Sequence, residues 1–163
     1  MTDDTSMSGP CIASFITLIG TVSITEDGDG RITGVYLPND NLPPMEEIET
    51  DALREAASQI NGYLSGKRRT FDLDIHTGAE GFRARVLEAI VDIPYGETRT
   101  YAEVAEMAGS PKAYRAVGTA CSTNPLPIII PCHRVVPSNG GIGQYTGGTS
   151  LKRRLLDHEV SDR

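Results

Sequence analysis

Near His76 the sequence changes its period, and this change restricts the possible folds more than any other feature. Upstream, "TVSITEDGDGRITGVYL" is two β-rich runs around Asp27-Gly28-Asp29-Gly30, a strong hairpin signal, and residues 11–37 read as strands. "NDNLPPM" reads as a loop. From Glu46 to Leu64 the residues Ile48, Leu53, Ala56, Ala57, Ile60 and Leu64 recur at helical spacing and predict one helix. "SGKRRTFDLDI" then predicts a turn and a short strand. His76 to Gly81 reads as a linker, and beyond it the pattern is helical. The expectation is an α+β protein: an acidic, polar, disordered leader at 1–10, a small α+β domain at 11–77 and a mostly helical domain at 78–163.

In the second part, Phe82, Val86, Ala89, Ile90 and Ile93 share one face of a helix that ends before Pro94, and "PYGE" is a turn. Thr100 begins a capping box with Glu103, and the helix Tyr101–Ala108 stops at Gly109. Ser110 as N-cap and Pro111 at the first helical position predict a second helix that starts at once and runs to about Cys121. Two short helices across a tight glycine turn suggest a helix-turn-helix, although an ordinary helical hairpin gives the same signal. The second helix carries Lys112 and Arg115. It also carries Ala113, Ala116, Gly118 and Ala120, small residues that allow close approach to another helix or to a nucleic-acid groove.

Charge bears on the partner. The net charge is -7, which argues at first against nucleic acid. The two halves differ: residues 1–75 hold 13 acidic and 5 basic residues, residues 76–163 hold 9 and 10. A local basic face in the second half stays open. No apolar run is long enough to span a membrane, and the N-terminus does not read as a signal peptide. Cys11, Cys121 and Cys132 then read as free thiols of a reducing cytoplasm. Without a CxxC pair, and with scattered histidines, no metal site is expected.

The segment "IIIPCHRVVPS", Ile128 to Ser138, carries the chemistry. A cysteine after three isoleucines is most often a buried inert thiol. Here, however, His133 and Arg134 follow Cys132 directly, and the glycine-rich loop "SNGGIGQYTGG" comes next. A thiolate is a strong nucleophile, and a nearby His and Arg are expected to lower its pKa. Adjacent Cys and His are poorly placed for a direct hydrogen bond, so a bridging water is expected, with Asp157 or Glu159 orienting the imidazole. A Cys-His hydrolase has no visible oxyanion motif to support it.

The blocks "IPYGETRTYAEVAEMAG", "PKAYRAVGTACSTNPLPIIIPCHRVVPSNGGIGQYTGG" and "LKRRLLDHE" together resemble the O6-alkylguanine-DNA alkyltransferases, methylated-DNA–protein-cysteine methyltransferases, strongly from Phe82 to Glu159. "GAEGFRARVL" departs from the family pattern, with Leu87 where a tryptophan often stands. The resemblance implies a ribonuclease H-like N-terminal domain and a C-terminal domain for DNA binding and alkyl transfer. The implied reaction is single-turnover transfer of an alkyl group from O6-alkylguanine in duplex DNA, with O4-alkylthymine as a second candidate, by a cytoplasmic monomer that needs no cofactor. A non-catalytic binder of alkylated DNA is the alternative. By resemblance Cys132 accepts the alkyl group, His133 takes its proton through a water, and Glu159 orients His133. Asn124 braces the turn, Tyr101 donates to the guanine, and Arg115 enters the base stack, with Lys112, Ala113 and Ala116 beside it on the DNA. Backbone groups of Cys132, Val135 and Thr146 read the guanine edge, and Tyr145 and Pro127 wall the alkyl pocket. Cys121 is read as a helix-packing residue and Cys11 as structural.

Overall fold

The computed structural model describes residues 9–162, so the leader read over 1–10 lies, apart from Gly9 and Pro10, outside the described residues. The chain divides into two compact units, one ending at Thr77 and the other beginning at Gly78.

In the first unit, β1 (Cys11–Thr17), β2 (Gly20–Glu26) and β3 (Ile32–Tyr36) form antiparallel neighbours. A short β4 (Glu46–Glu47) adds parallel to β1, giving the order β3-β2-β1-β4. The helix α1 (Asp51–Leu64) packs on this sheet. Val22 and Ile24 of β2 and Leu53, Ala56, Ile60 and Tyr63 of α1 are buried, as alternating and helical apolar spacing require. The intervening polar residues of β2 are buried too, and they find partners. Ser23 pairs its hydroxyl with Ser14 at 2.7 Å, and Thr25 pairs with Thr33 at 2.8 Å. The buried Glu26 carboxylate accepts the amides of Gly28 and Gly30 at 3.2 and 3.1 Å and the hydroxyl of Thr50.

Two expectations change here. The segment from Glu46 is not helical; the helix begins at Asp51. Thr50 is the cap that fixes this start: its hydroxyl oxygen accepts the Leu53 amide at 3.2 Å while it donates to Glu26. Glu46 and Glu47 complete the sheet edge instead. The strand expected in "SGKRRTFDLDI" reduces to a single bridge between Ile75 and Ile32. Upstream of it, the side chain of Gln59 on α1 takes the place of a strand partner. It donates to the Asp72 carbonyl at 3.0 Å and accepts the Asp72 amide at 2.9 Å.

The second unit contains α2 (Gly81–Val91), β5 (Arg99–Thr100), α3 (Tyr101–Met107), α4 (Tyr114–Ser122), a 3-10 turn (Cys132–Arg134), β6 (Val135–Val136) and α5 (Thr149–Ser161). α2 packs against α3 and α4, which pack against each other. Leu87 is buried there, and Arg83 donates to the Thr123 carbonyl at 2.9 Å. The Thr100–Glu103 capping box is present in both directions, at 3.0 and 2.8 Å.

The second helix of the pair starts later than its sequence predicts. Gly109 lies at φ +91°, and the Ser110 amide reaches back to the Ala105 carbonyl at 2.9 Å. This pattern closes the end of α3 and engages Ser110 there. Pro111 and Lys112 then form a turn closed by the Ala113 amide on the Ser110 carbonyl, and α4 begins at Tyr114. Lys112 and Ala113 therefore precede the helix.

Candidate active site and nucleic-acid interface

The parallel pairing of β5 with β6 sets Arg99 beside Val135 and Thr100 beside Val136. It brings the start of α3, with Tyr101, alongside the segment that leaves Cys132. The approach to Cys132 is irregular. Ile128 is buried at φ +76°, a left-handed conformation that costs a β-branched residue on the order of 1–3 kcal/mol. Buried Pro127 before it and Ile130 after it are bridged, and the chain passes from Ile130 into the 3-10 turn.

Cys132 is fully buried. Asn124 Nδ2 donates to its sulfur at 3.1 Å and to the Ile130 carbonyl at 3.0 Å, while Asn124 Oδ1 accepts the Leu126 amide at 2.9 Å. One buried amide thus braces the turn and touches the thiol. Burial pushes the Cys132 thiol up to about 11; the Asn124 hydrogen bond and the Lys152 charge act in the lowering direction. The groups that favour the thiolate are therefore Asn124 and Lys152, not the adjacent His133 and Arg134. His133 is kept neutral by burial, and Arg134 is turned towards Glu159.

Behind the thiol lies a buried charged network. His133 Nε2 stands 2.7 Å from Glu159 Oε2, and its other ring nitrogen is buried as well. Arg134 Nε donates to Glu159 Oε1 at 2.9 Å, Nη2 to Oε2 at 3.0 Å, and Nη1 to the Ile93 carbonyl at 2.7 Å. Glu159 Oε1 also accepts the Gly96 amide at 2.9 Å, which ties the "PYGE" turn to the network. Arg134 stacks over the Tyr95 ring at 5.5 Å, and Tyr95 donates to Asp162 at 3.0 Å. Burial lowers the His133 pKa, and Glu159 opposes this only in part. Of the two carboxylates read from sequence, Asp157 is exposed and Glu159 is the one that reaches His133.

Tyr145 is buried and meets His133 edge-on at 6.4 Å between ring centres. Tyr101 is half-buried, and burial raises its pKa, with smaller contributions from Cys121 and Cys132. The loop after Val136 comes very close to it. A Cβ on Gly143, which lies at φ +76°, would stand 2.7 Å from the Tyr101 hydroxyl and 3.2 Å from Lys152 Nζ. Glycine is required there for space and for backbone conformation. Thr146 is partly exposed beside Tyr145. Lys152 was not read from sequence. It is fully buried and donates to the carbonyls of Val135 at 2.6 Å and Gln144 at 3.0 Å.

Lys112, Arg115 and Ala116 are exposed, and Ala113 is partly so, at the start of α4. A Cβ on Gly118 would lie 4.0 Å from the Tyr101 ring, so this helix runs beside the tyrosine. Cys121 and Cys11 are buried free thiols, and burial pushes Cys121 up to about 12. Among the described residues no group of acidic, His and Cys side chains could hold a metal, and no helix is long and apolar enough to cross a membrane.

The family described as 6-O-methylguanine DNA methyltransferase, DNA binding domain, matches residues 81–161. A methylated-DNA–protein-cysteine methyltransferase of Methanosarcina barkeri is 50% identical over 120 residues, covering 73% of this chain and 76% of the relative. The constitutive enzyme of that name in Bacillus subtilis is 40% identical over 151 residues, covering 88% and 91%. The crystal structure of Mycobacterium tuberculosis OGT in complex with DNA superposes with a TM-score of 0.86 at 34% identity, over 93% of this chain and 94% of that one. The chain belongs to the methylated-DNA–protein-cysteine methyltransferase family.

Proposed function

We infer that this protein repairs DNA by moving an alkyl group from O6-alkylguanine in duplex DNA onto Cys132, once per molecule. The observation that carries the reading is a buried thiol held by Asn124, backed by a neutral His133 on Glu159, in a unit that also presents a helix pair with an exposed arginine. A binding-only protein of the same fold has no use for a braced thiol beside a buried base, so the non-catalytic alternative is not favoured.

The resting thiol is protonated near neutrality, so transfer needs a base. His133, neutral through burial, takes the Cys132 proton through a water, and Glu159 stabilises the imidazolium that forms. The sulfur then attacks the alkyl carbon. An S–C bond forms, the C–O6 bond breaks, and its electron pair leaves on the guanine. Tyr101 donates a hydrogen bond to that developing anion. Backbone groups of Cys132, Val135 and Thr146 read the guanine edge, and Tyr145 and Pro127 enclose the alkyl group. The thioether has no route back to a thiol.

The target atom is inaccessible inside a duplex, so the base must be flipped out. Arg115 fills the gap it leaves, Lys112 meets a phosphate, and Ala113 and Ala116 permit close contact. On this reading residues 78–163 are the DNA-binding and transfer domain. Residues 11–77 are a ribonuclease H-like domain, a reading supported by the order β3-β2-β1-β4 with β1 and β4 parallel. The protein acts as a cytoplasmic monomer. Cys132→Ser tests the assignment: it should abolish transfer and leave binding to methylated duplex nearly unchanged. Residual transfer to another residue would contradict it.

A further inference from the structure

Of the buried ionisable groups, Lys152 has no part in the scheme above, yet it is placed at its centre. Its side chain is 0% exposed, although lysine is among the residues least often buried. It leaves α5 and ends between two backbone segments on either side of the glycine loop, donating to Val135 O and Gln144 O. Its ammonium lies 5.8 Å from the centre of the Tyr101 ring. The titratable side chains that face it come from three other elements: Tyr101 from α3, Cys121 from α4, and Cys132 and His133 from the turn. Two carbonyls solvate the ammonium, but no carboxylate is among these neighbours. A buried cation without a counter-ion is costly, and the groups around it that can become anionic are the thiols and the phenol.

We propose that Lys152 is a positioning residue of the transfer site, whose two hydrogen bonds hold the backbone at Val135 and Gln144 in place beside Tyr101. This rests on the alkyl-transfer reading. The clamp matters because Val135 and the residues after Gln144 are the backbone proposed to read the base. It also explains the glycine at 143: a side chain there would displace the ammonium and the phenol together.

Lys152→Met keeps the length of the side chain and removes the charge, and Lys152→Arg keeps the charge in a larger head. In a Cys132→Ser background, the affinity for free O6-benzylguanine is measured by calorimetry in all three proteins, with thermal melts to establish that each is folded. Lys152→Met should weaken binding of the base roughly tenfold, because the backbone that reads it is no longer held. Lys152→Arg should recover part of the affinity, even if it melts lower through overpacking. Wild-type affinity in folded Lys152→Met would overturn the proposal, as would an affinity in Lys152→Arg equal to that of Lys152→Met. Binding in this background involves no transfer. If these affinities hold but Cys132 of the wild-type protein gains no methyl group from methylated DNA, the alkyl-transfer reading is defeated and the Lys152 assignment stands.

Discussion

His133 makes the protein sensitive to acid. Its pKa is depressed by burial below the 6.5 of an ordinary histidine, so the neutral ring is the folded-state form. Above 6.5 both the folded and unfolded states hold it neutral, and its contribution to stability is complete. As the pH falls below 6.5 the unfolded chain binds a proton that the native site resists, and stability is lost. Denaturant midpoints measured across this range should decline, and His133→Gln should remove part of the slope. An equal slope in the variant would contradict the buried neutral imidazole. Glu159 gives a second test at this scale. Replacing it by alanine strips His133 and Arg134 of their common partner and leaves a buried guanidinium uncompensated, which should cost about 3–5 kcal/mol of unfolding free energy. A loss within the range of a surface substitution would mean that the network relaxes or admits solvent.

At the scale of elements, the helix pair separates binding from chemistry. Arg115 is exposed near the start of α4. Arg115→Ala should slow transfer from duplex DNA by roughly ten- to hundredfold, because base flipping loses about 1–3 kcal/mol of compensation. Transfer from free O6-benzylguanine, which needs no flipping, should hardly change. Equal losses on both substrates would place Arg115 in the fold rather than in the base stack. The capping box at Thr100 was legible in sequence because its partners lie three residues apart. So were the apolar faces of α1 and α2, whose period is local. The start of α4 was not, because Ser110 is drawn into the end of α3 by a backbone hydrogen bond that no side-chain pattern announces. Likewise Glu26, read only as part of a hairpin, reaches 24 residues along the chain to the cap of α1. Lys152 has no sequence signature, because its partners are two carbonyls. The pairing of His133 with Glu159 is implied by a family motif; the bond from Asn124 to the sulfur is not.

For the whole molecule, charge and stoichiometry are the measurable consequences. Residues 1–75 carry a net -8 and residues 76–163 a net +1, so few cations are available to neutralise phosphates. The logarithm of duplex affinity should fall only shallowly with the logarithm of salt, with a slope reflecting a few released counterions. A steep slope, typical of a strongly basic repressor, would show that many more phosphates are engaged than Lys112, Arg115 and nearby amides can reach.

On the proposed mechanism Cys132 is consumed by the reaction. The most direct test is a titration of the protein with duplex oligonucleotide containing isotopically labelled O6-methylguanine, followed by intact-mass and peptide-mass measurement. Transfer should stop at one methyl group per molecule, with the label on the peptide containing Cys132. Continued repair beyond one equivalent, or label on Cys11 or Cys121, would contradict it.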